Sequence, residues 1–236
     1  MFQGKIISLV FATYKEKSSI RKVIEDFYNT GLVDEVIVVN NNAEEGTKKE
    51  VSKTPARMVH EPNQGYGYAF RRGILEAKGD YIVLCEPDGS FSASDLPRFL
   101  EKAESCPVVL GSRVSRDSAM SPIRGWANII VAKTIQILFR TSPLSDIGCT
   151  YKLFYRETLR EIEKLCETKN YLFATELILV AAAKKISLAE IPVIFSERTG
   201  KSSIVTSPQK LVFFGAYIFL FIFKFWLHRR KLSDGI

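Results

Sequence analysis

Glu86 and Asp88, separated only by Pro87, close the apolar run Tyr81-Ile-Val-Leu-Cys85. Two carboxylates this close do not share a sheltered place without a counter-charge. A divalent cation supplies one, and Mg²⁺ takes one or two carboxylates together with phosphate oxygens and water. The following Gly89-Ser90 are turn formers, so a solvated acidic turn fits the same spacing. Asn40-Asn41-Asn42 close a second apolar run, and amide side chains both donate to and accept from a base or ribose edge. An Asx-rich turn has that composition too. Asn63-Gln64-Gly65-Tyr66-Gly67-Tyr68 opens a helix with two glycines, which suits close approach of a ligand to its N-terminus. Arg198 and the following Thr199-Gly200-Lys201-Ser202-Ser203 combine a guanidinium fork with hydroxyl and backbone donors, a set that suits a phosphate.

Other chemistries lack their residues. Gly200-Lys201-Ser202 ends like a P-loop, but Phe195 stands where that motif needs its first glycine. The two-glycine helix does not follow the first strand, and Phe70 occupies the place of a third glycine, so it is no dinucleotide fingerprint. His60 and His228 are the only histidines, and Cys85, Cys106, Cys149 and Cys166 show no CxxC spacing. Zinc sites and histidine-based triads are therefore disfavoured, and reduced cysteines are expected.

The elements that must position these groups alternate regularly. Strands are expected over residues 5–12, 34–40, 57–60, 80–85 and 107–110. Helices are expected over 18–29, over the Glu/Lys-rich stretch after residue 42, and over 66–78 and 94–105. That rhythm predicts one α/β domain with a mostly parallel sheet flanked by helices, with ligands beyond the carboxyl ends of the strands. The loops after Ala12, Asn40 and Cys85 lie at those ends. Helices over 125–139 and 171–184 and a strand over 188–195 complete the domain, expected to span residues 1–206.

Residues 211–227 are apolar except for Lys224 and run into His228-Arg229-Arg230-Lys231. Of the formal net charge of +7, +5 falls on residues from Lys201 onward. A nucleic-acid binder spreads its excess over a groove of the folded domain, so no nucleic-acid partner is expected. A basic apolar tail, residues 207–236, suits a membrane surface, contacted through 207–231. Seventeen residues are short for a span, and crossing would set the basic cluster outside. An interfacial helix on the cytoplasmic face is preferred, with a single C-terminal span or a packing helix of a homo-oligomer as the other readings.

In order and spacing these motifs resemble glycosyltransferase family 2 with a GT-A (Rossmann-like) fold, in its dolichol-phosphate mannosyltransferase-like branch, from about residue 5 to 203. The resemblance implies a nucleotide-sugar pocket at Ala12, Tyr14, Glu16, Asn40, Asn41, Gly65, Gly67 and Glu86, and a Mg²⁺ or Mn²⁺ held by Glu86 and Asp88. It implies acceptor-phosphate contacts at Arg113, Arg124, Arg198, Lys201, Ser202 and Ser203. Asp88, Asp146, Arg113 and Arg198 carry the catalytic roles, and Glu176 falls on an acidic helix position. Three departures stand out: Glu86 replaces the first Asp of a DxD, Asn40-Asn41 replace an acidic pair, and the tail has room for at most one crossing. The amide pair leans the donor towards UDP over GDP, since an amide matches uracil's mixed edge.

The expected reaction is inverting transfer of a sugar from a nucleotide diphosphate to a polyprenyl phosphate. Transfer to a hydroxyl of a lipid-linked or cell-envelope glycan is the alternative, and would need Asp146 as a base. An inactive nucleotide-binding membrane anchor is the reading from another class.

Overall fold

The computed structural model describes residues 1–114, 118–199 and 208–228. Apolar, β-branched runs form the strands β1 (Ile7–Thr13), β2 (Glu35–Asn40), β3 (Arg57–His60), β4 (Tyr81–Cys85), β5 (Val108–Ser112), β6 (Lys152–Tyr155) and β7 (Leu188–Pro192). They make one sheet in the order β3-β2-β1-β4-β6-β5-β7. All neighbours are parallel except β6, which runs against both β4 and β5. Such near-continuous apolar strands require cover on both faces.

Helices supply it: α1 (Ile20–Tyr28), α2 (Thr47–Val51), α3 (Tyr66–Glu76), α4 (Leu96–Ala103), α5 (Pro122–Phe139), α6 (Arg156–Lys164), α7 (Phe173–Ala183) and α8 (Pro208–His228). Alternate strand residues divide between two cores. Val10, Ile37, Leu84 and Leu110 meet α3, α5, α6 and α7, whereas Leu9, Phe11, Val83 and Val109 meet α1 and α4. The predicted strand order along the chain and the sheet's placement of the loops after β1, β2 and β4 agree with the sequence. Residues 151–164, to which no element was assigned, form β6 and α6.

The tail differs from a free appendage. On α8, Ile222 is fully buried in the same core as α5 and α7, and the Trp226 indole donates to the Leu138 carbonyl at 3.0 Å. Burying one such side chain contributes about 1.5–3 kcal/mol, enough to hold this face against α5. Among the described residues no helix is long and apolar enough to cross a membrane.

Candidate functional site

The loop after β1 is built around Glu16. Its carboxylate accepts from Thr13 Oγ1 at 3.1 Å and from the Tyr14 and Lys15 amides at 2.7 and 2.9 Å. Ser19 does not cap α1 with its side chain. Its hydroxyl donates instead to the Pro87 carbonyl at 2.7 Å, tying the first loop to the Glu86–Asp88 turn. Tyr14 is exposed beside this loop, and Ala12 sits at the end of β1.

Asp88 is almost fully buried. Its Oδ1 accepts from the Ser90 amide at 3.0 Å and hydroxyl at 2.5 Å. The segment 195–199 runs alongside: Phe91 bridges Phe195, and the Thr199 amide donates to the Asp88 carbonyl at 2.9 Å. This pairing delivers Arg198, whose Nε lies 3.5 Å from Asp88 Oδ2 and whose Nη2 lies 3.8 Å from Glu16. Residues more than a hundred positions apart are thus brought to one turn. Arg198 Nε makes no hydrogen bond in this arrangement, so its contact with Asp88 is purely ionic.

Burial, with Asp88 beside it, raises the Glu86 carboxyl to about 7, against the pull of Arg198 and Arg113. Two carboxylates that disfavour each other's charge fit a divalent cation, which would relieve both. Among the described residues no group of three or more His, Cys, Asp or Glu side chains is placed to enclose a metal. A cation at Glu86 and Asp88 would therefore need diphosphate oxygens or water for its remaining positions.

The second half of the site centres on Asp146, which is wholly buried. Arg113 reaches it from the end of β5 in a bidentate pair: Nε to Oδ2 at 2.7 Å and Nη2 to Oδ1 at 3.0 Å. The Arg113 amide, Gly148 amide and Asn128 side chain add bonds at 3.0, 3.1 and 3.0 Å. Burial alone would raise the Asp146 carboxyl, but Arg113 outweighs it and holds the group below its ordinary value. Glu190 on β7 steadies the loop by accepting from the Ser145 and Asp146 amides at 2.8 and 3.0 Å. Five donors on one carboxylate leave it no free lone pair suited to proton abstraction. In this arrangement Asp146 anchors Arg113, and its bonding lends no support to a role as a base.

Two further groups of expected site residues make contacts within the chain. The Asn41 side chain is buried, donating to the Glu61 and Asn63 carbonyls at 3.0 and 2.8 Å and accepting from the Gly65 amide at 2.8 Å. Asn40 accepts from the Ala43 amide at 2.9 Å. These bonds engage Asn41 through both its donor and its acceptor, and Asn40 through its carbonyl oxygen. Gly65 and Gly67 face another part of the chain. An added Cβ would lie 2.6 Å from the Lys169 carbonyl oxygen at Gly65, and 2.8 Å from Lys169 Cα at Gly67. The glycines admit residue 169, and Glu176 holds that loop by accepting from the Glu167 and Thr168 amides at 2.9 and 2.8 Å. Gly67→Ala should therefore lower stability by about 1–3 kcal/mol through overpacking, measured as a lower urea midpoint with an unchanged slope.

Arg124 lies exposed in the first turn of α5, one turn before Asn128. Lys201, Ser202 and Ser203 lie outside the described residues. Asn128 and Glu190 were not singled out by sequence; a lone amide within the apolar Trp126–Ile130 stretch was the available signal for the first.

A mixed sheet with this helical cover, and with carboxylates at the carboxyl end of β4, defines a GT-A-like fold. The structure superposes on glucosyl-3-phosphoglycerate synthase from Mycobacterium tuberculosis, solved with Mn²⁺, uridine-diphosphate-glucose and phosphoglyceric acid, with a TM-score of 0.74 at 17% identity, covering 94% of this chain and 80% of that one. The profile of glycosyl transferase family 2 matches residues 8–163, and the chain belongs to that family. It is 25% identical over 214 residues to the low-salt glycan biosynthesis hexosyltransferase Agl6 of Haloferax volcanii, covering 86% of this chain and 51% of that protein, so it spans about half of that relative. A dolichyl-phosphate hexose transferase of Haloferax volcanii is 24% identical over 84% of this chain and 86% of its own. A dolichyl-phosphate beta-glucosyltransferase, ALG5A of Trichomonas vaginalis, is 23% identical over 87% and 70%.

Proposed function

We infer that this family 2 glycosyltransferase moves a hexose from a nucleotide diphosphate, with inversion, to a polyprenyl phosphate. The observation that carries the reading is the convergence of two guanidinium groups on the carboxylate turn: Arg198 lies 3.5 Å from Asp88, and both Arg198 and Arg113 pull on the Glu86 carboxyl. A phosphate acceptor is already an anion at neutral pH, so no side chain need remove its proton. This agrees with an Asp146 that is fully engaged and weighs against a hydroxyl acceptor. Glu86 and Asp88 would hold Mg²⁺ or Mn²⁺, which when bound supplies charge for the departing diphosphate. Arg113 is held in one orientation by Asp146, and Arg198 is free to exchange its 3.5 Å ionic contact for a phosphate. Lys201, Ser202 and Ser203 are proposed to extend that phosphate site, with Arg124 at its outer edge. Ala12, Tyr14, Glu16, Asn40 and Asn41 frame the nucleotide side. The dolichyl-phosphate relatives support the acceptor class, and the neighbour's uridine nucleotide and Mn²⁺ support the donor.

The test is thermal stability with UDP or GDP, with and without Mn²⁺ or Mg²⁺. A ligand bound only by the folded chain raises the melting temperature, by about 2.7 kcal/mol of stabilisation at a hundredfold excess over Kd. The expected result is a cation-dependent rise with UDP; no rise with either nucleotide would sink the reading.

A membrane surface is the proposed setting, at the cytoplasmic face. Ile123, Trp126, Ile130 and Ile137 of α5 and Phe213, Leu220, Phe223 and Leu227 of α8 are exposed on the two packed helices. Neither helix contains an Asp or Glu, while Lys133 and Lys224 are basic. An apolar surface with only positive charge suits anionic lipid. Trp126→Glu with Phe223→Glu is expected to abolish co-sedimentation with vesicles containing phosphatidylserine, leaving the UDP-dependent thermal shift intact.

A further inference from the structure

Because β6 runs against its neighbours, it brings its first residue, and not its last, to the rim where the site lies. That residue is Lys152. It pairs across the sheet with Leu84, two residues before Glu86, and with Leu110, three before Arg113. Directly opposed residues share a face, so Lys152 points into the core that Leu84 and Leu110 line. It is 1% exposed, and its Nζ has no hydrogen-bond partner. An unpaired ammonium in such a place costs several kcal/mol, whereas a methionine would fill similar volume without that cost.

The charged and titratable groups around it come from each neighbouring element: Glu86 after β4, Arg113 after β5, and Asp146 and Cys149 in the loop before β6. Burial raises the Cys149 thiol to about 12, so it is neutral at physiological pH. Burial lowers the Lys152 ammonium to about 8, which leaves it mostly charged there. Arg113 and Asp146 compensate each other through their bidentate pair. With Glu86 facing the cation position beside Asp88, the charge left on the Arg113–Asp146 side is that of Lys152.

We propose that Lys152 is a positioning residue for the acceptor: its unpaired buried ammonium makes the Arg113–Asp146 cluster net positive and so selects a phosphate at that side of the site. The inference rests on the lipid-phosphate reading above. Lys152 does not touch the phosphate. It acts through Asp146 and Arg113, which would otherwise form a neutral pair with little net attraction for an anion.

The test is Lys152→Met in the full chain, with a water-soluble ten-carbon prenyl phosphate as the probe. The melting temperature is expected to equal or exceed that of the wild type, and the shift with UDP and Mn²⁺ to be unchanged. Affinity for the prenyl phosphate by calorimetry should fall roughly ten- to thirtyfold, with KM for it rising in step and kcat little altered. A structural lysine would move stability and both ligands together. Lys152→Gln, which keeps a polar head without charge, repeats the measurement in case methionine misfolds. Equal prenyl phosphate affinity in wild type and variant overturns the proposal while the lipid-phosphate reading stands. A wild type that responds to UDP and Mn²⁺ but not to prenyl phosphate overturns both. Failure of both variants to fold overturns it as well, by making the ammonium a requirement of the fold.

Discussion

Asp88→Asn is expected to reduce sugar transfer about a thousandfold while leaving the chain folded. Asparagine keeps the Oδ1 that accepts from the Ser90 amide and hydroxyl, so the turn after β4 survives. What it removes is the negative charge at Oδ2, which faces Arg198 at 3.5 Å. Without that charge Glu86 alone would have to hold a divalent cation. The rise in melting temperature that UDP gains from Mn²⁺ should vanish, with the melting temperature of the free chain close to wild type. Full transfer activity in this variant would remove Asp88 from the metal assignment. A chain that fails to fold would instead make its bonds to Ser90 the dominant role.

Asp146→Asn should have the larger effect on stability, about 3–5 kcal/mol at neutral pH, because it leaves Arg113 buried without a counter-charge. The sign of its pH dependence follows from the direction of the shift. Asp146 titrates below its ordinary 3.8 in the folded chain, so its contribution is fully present above that value. It is lost as pH falls through the lower, folded value. Urea unfolding of wild type and variant should therefore differ by a constant amount from neutral pH down to about 4 and converge below it. A gap that stays undiminished at lower pH would show that packing, not charge, is responsible. Transfer should fall too, since Arg113 loses its orientation, but no alkaline or acid limb attributable to a base should appear.

The parallel part of the sheet was legible because its strands are apolar, β-branched and closed by turn residues, as in Ile7–Thr13 and Glu35–Asn40. Arg57–His60 was read to the residue. Lys152–Tyr155 was not, since a strand of four that begins with lysine and passes straight into α6 has neither an apolar run nor a turn to mark it. The carboxylate turn and the two arginines were visible as residue types, and the sheet does bring Arg198 to Asp88. Their partners were not visible. That Asn41, Gly65 and Gly67 also serve the approach of residues 61–65 and 169 depends on tertiary contacts that local spacing does not encode. The same holds for Asn128 and Glu190, which converge on one loop from a helix and a distant strand.

The insertion of β6 between β4 and β5 also bears on how the chain acquires its shape during synthesis. Strands β1 to β4 are contiguous in the sheet and need no later strand to pair with one another, so the first four can zip together once Cys85 is made, leaving only the β4 edge that β6 will take. β5 then emerges with no neighbour available, because both strands that flank it, β6 and β7, are still to come. Until about residue 155 is added, one long edge of β4 stays open and β5 waits unpaired, an invitation to intermolecular pairing. Pulse-labelled hydrogen exchange during refolding should accordingly protect the amides of β1 and β2 before those of β5.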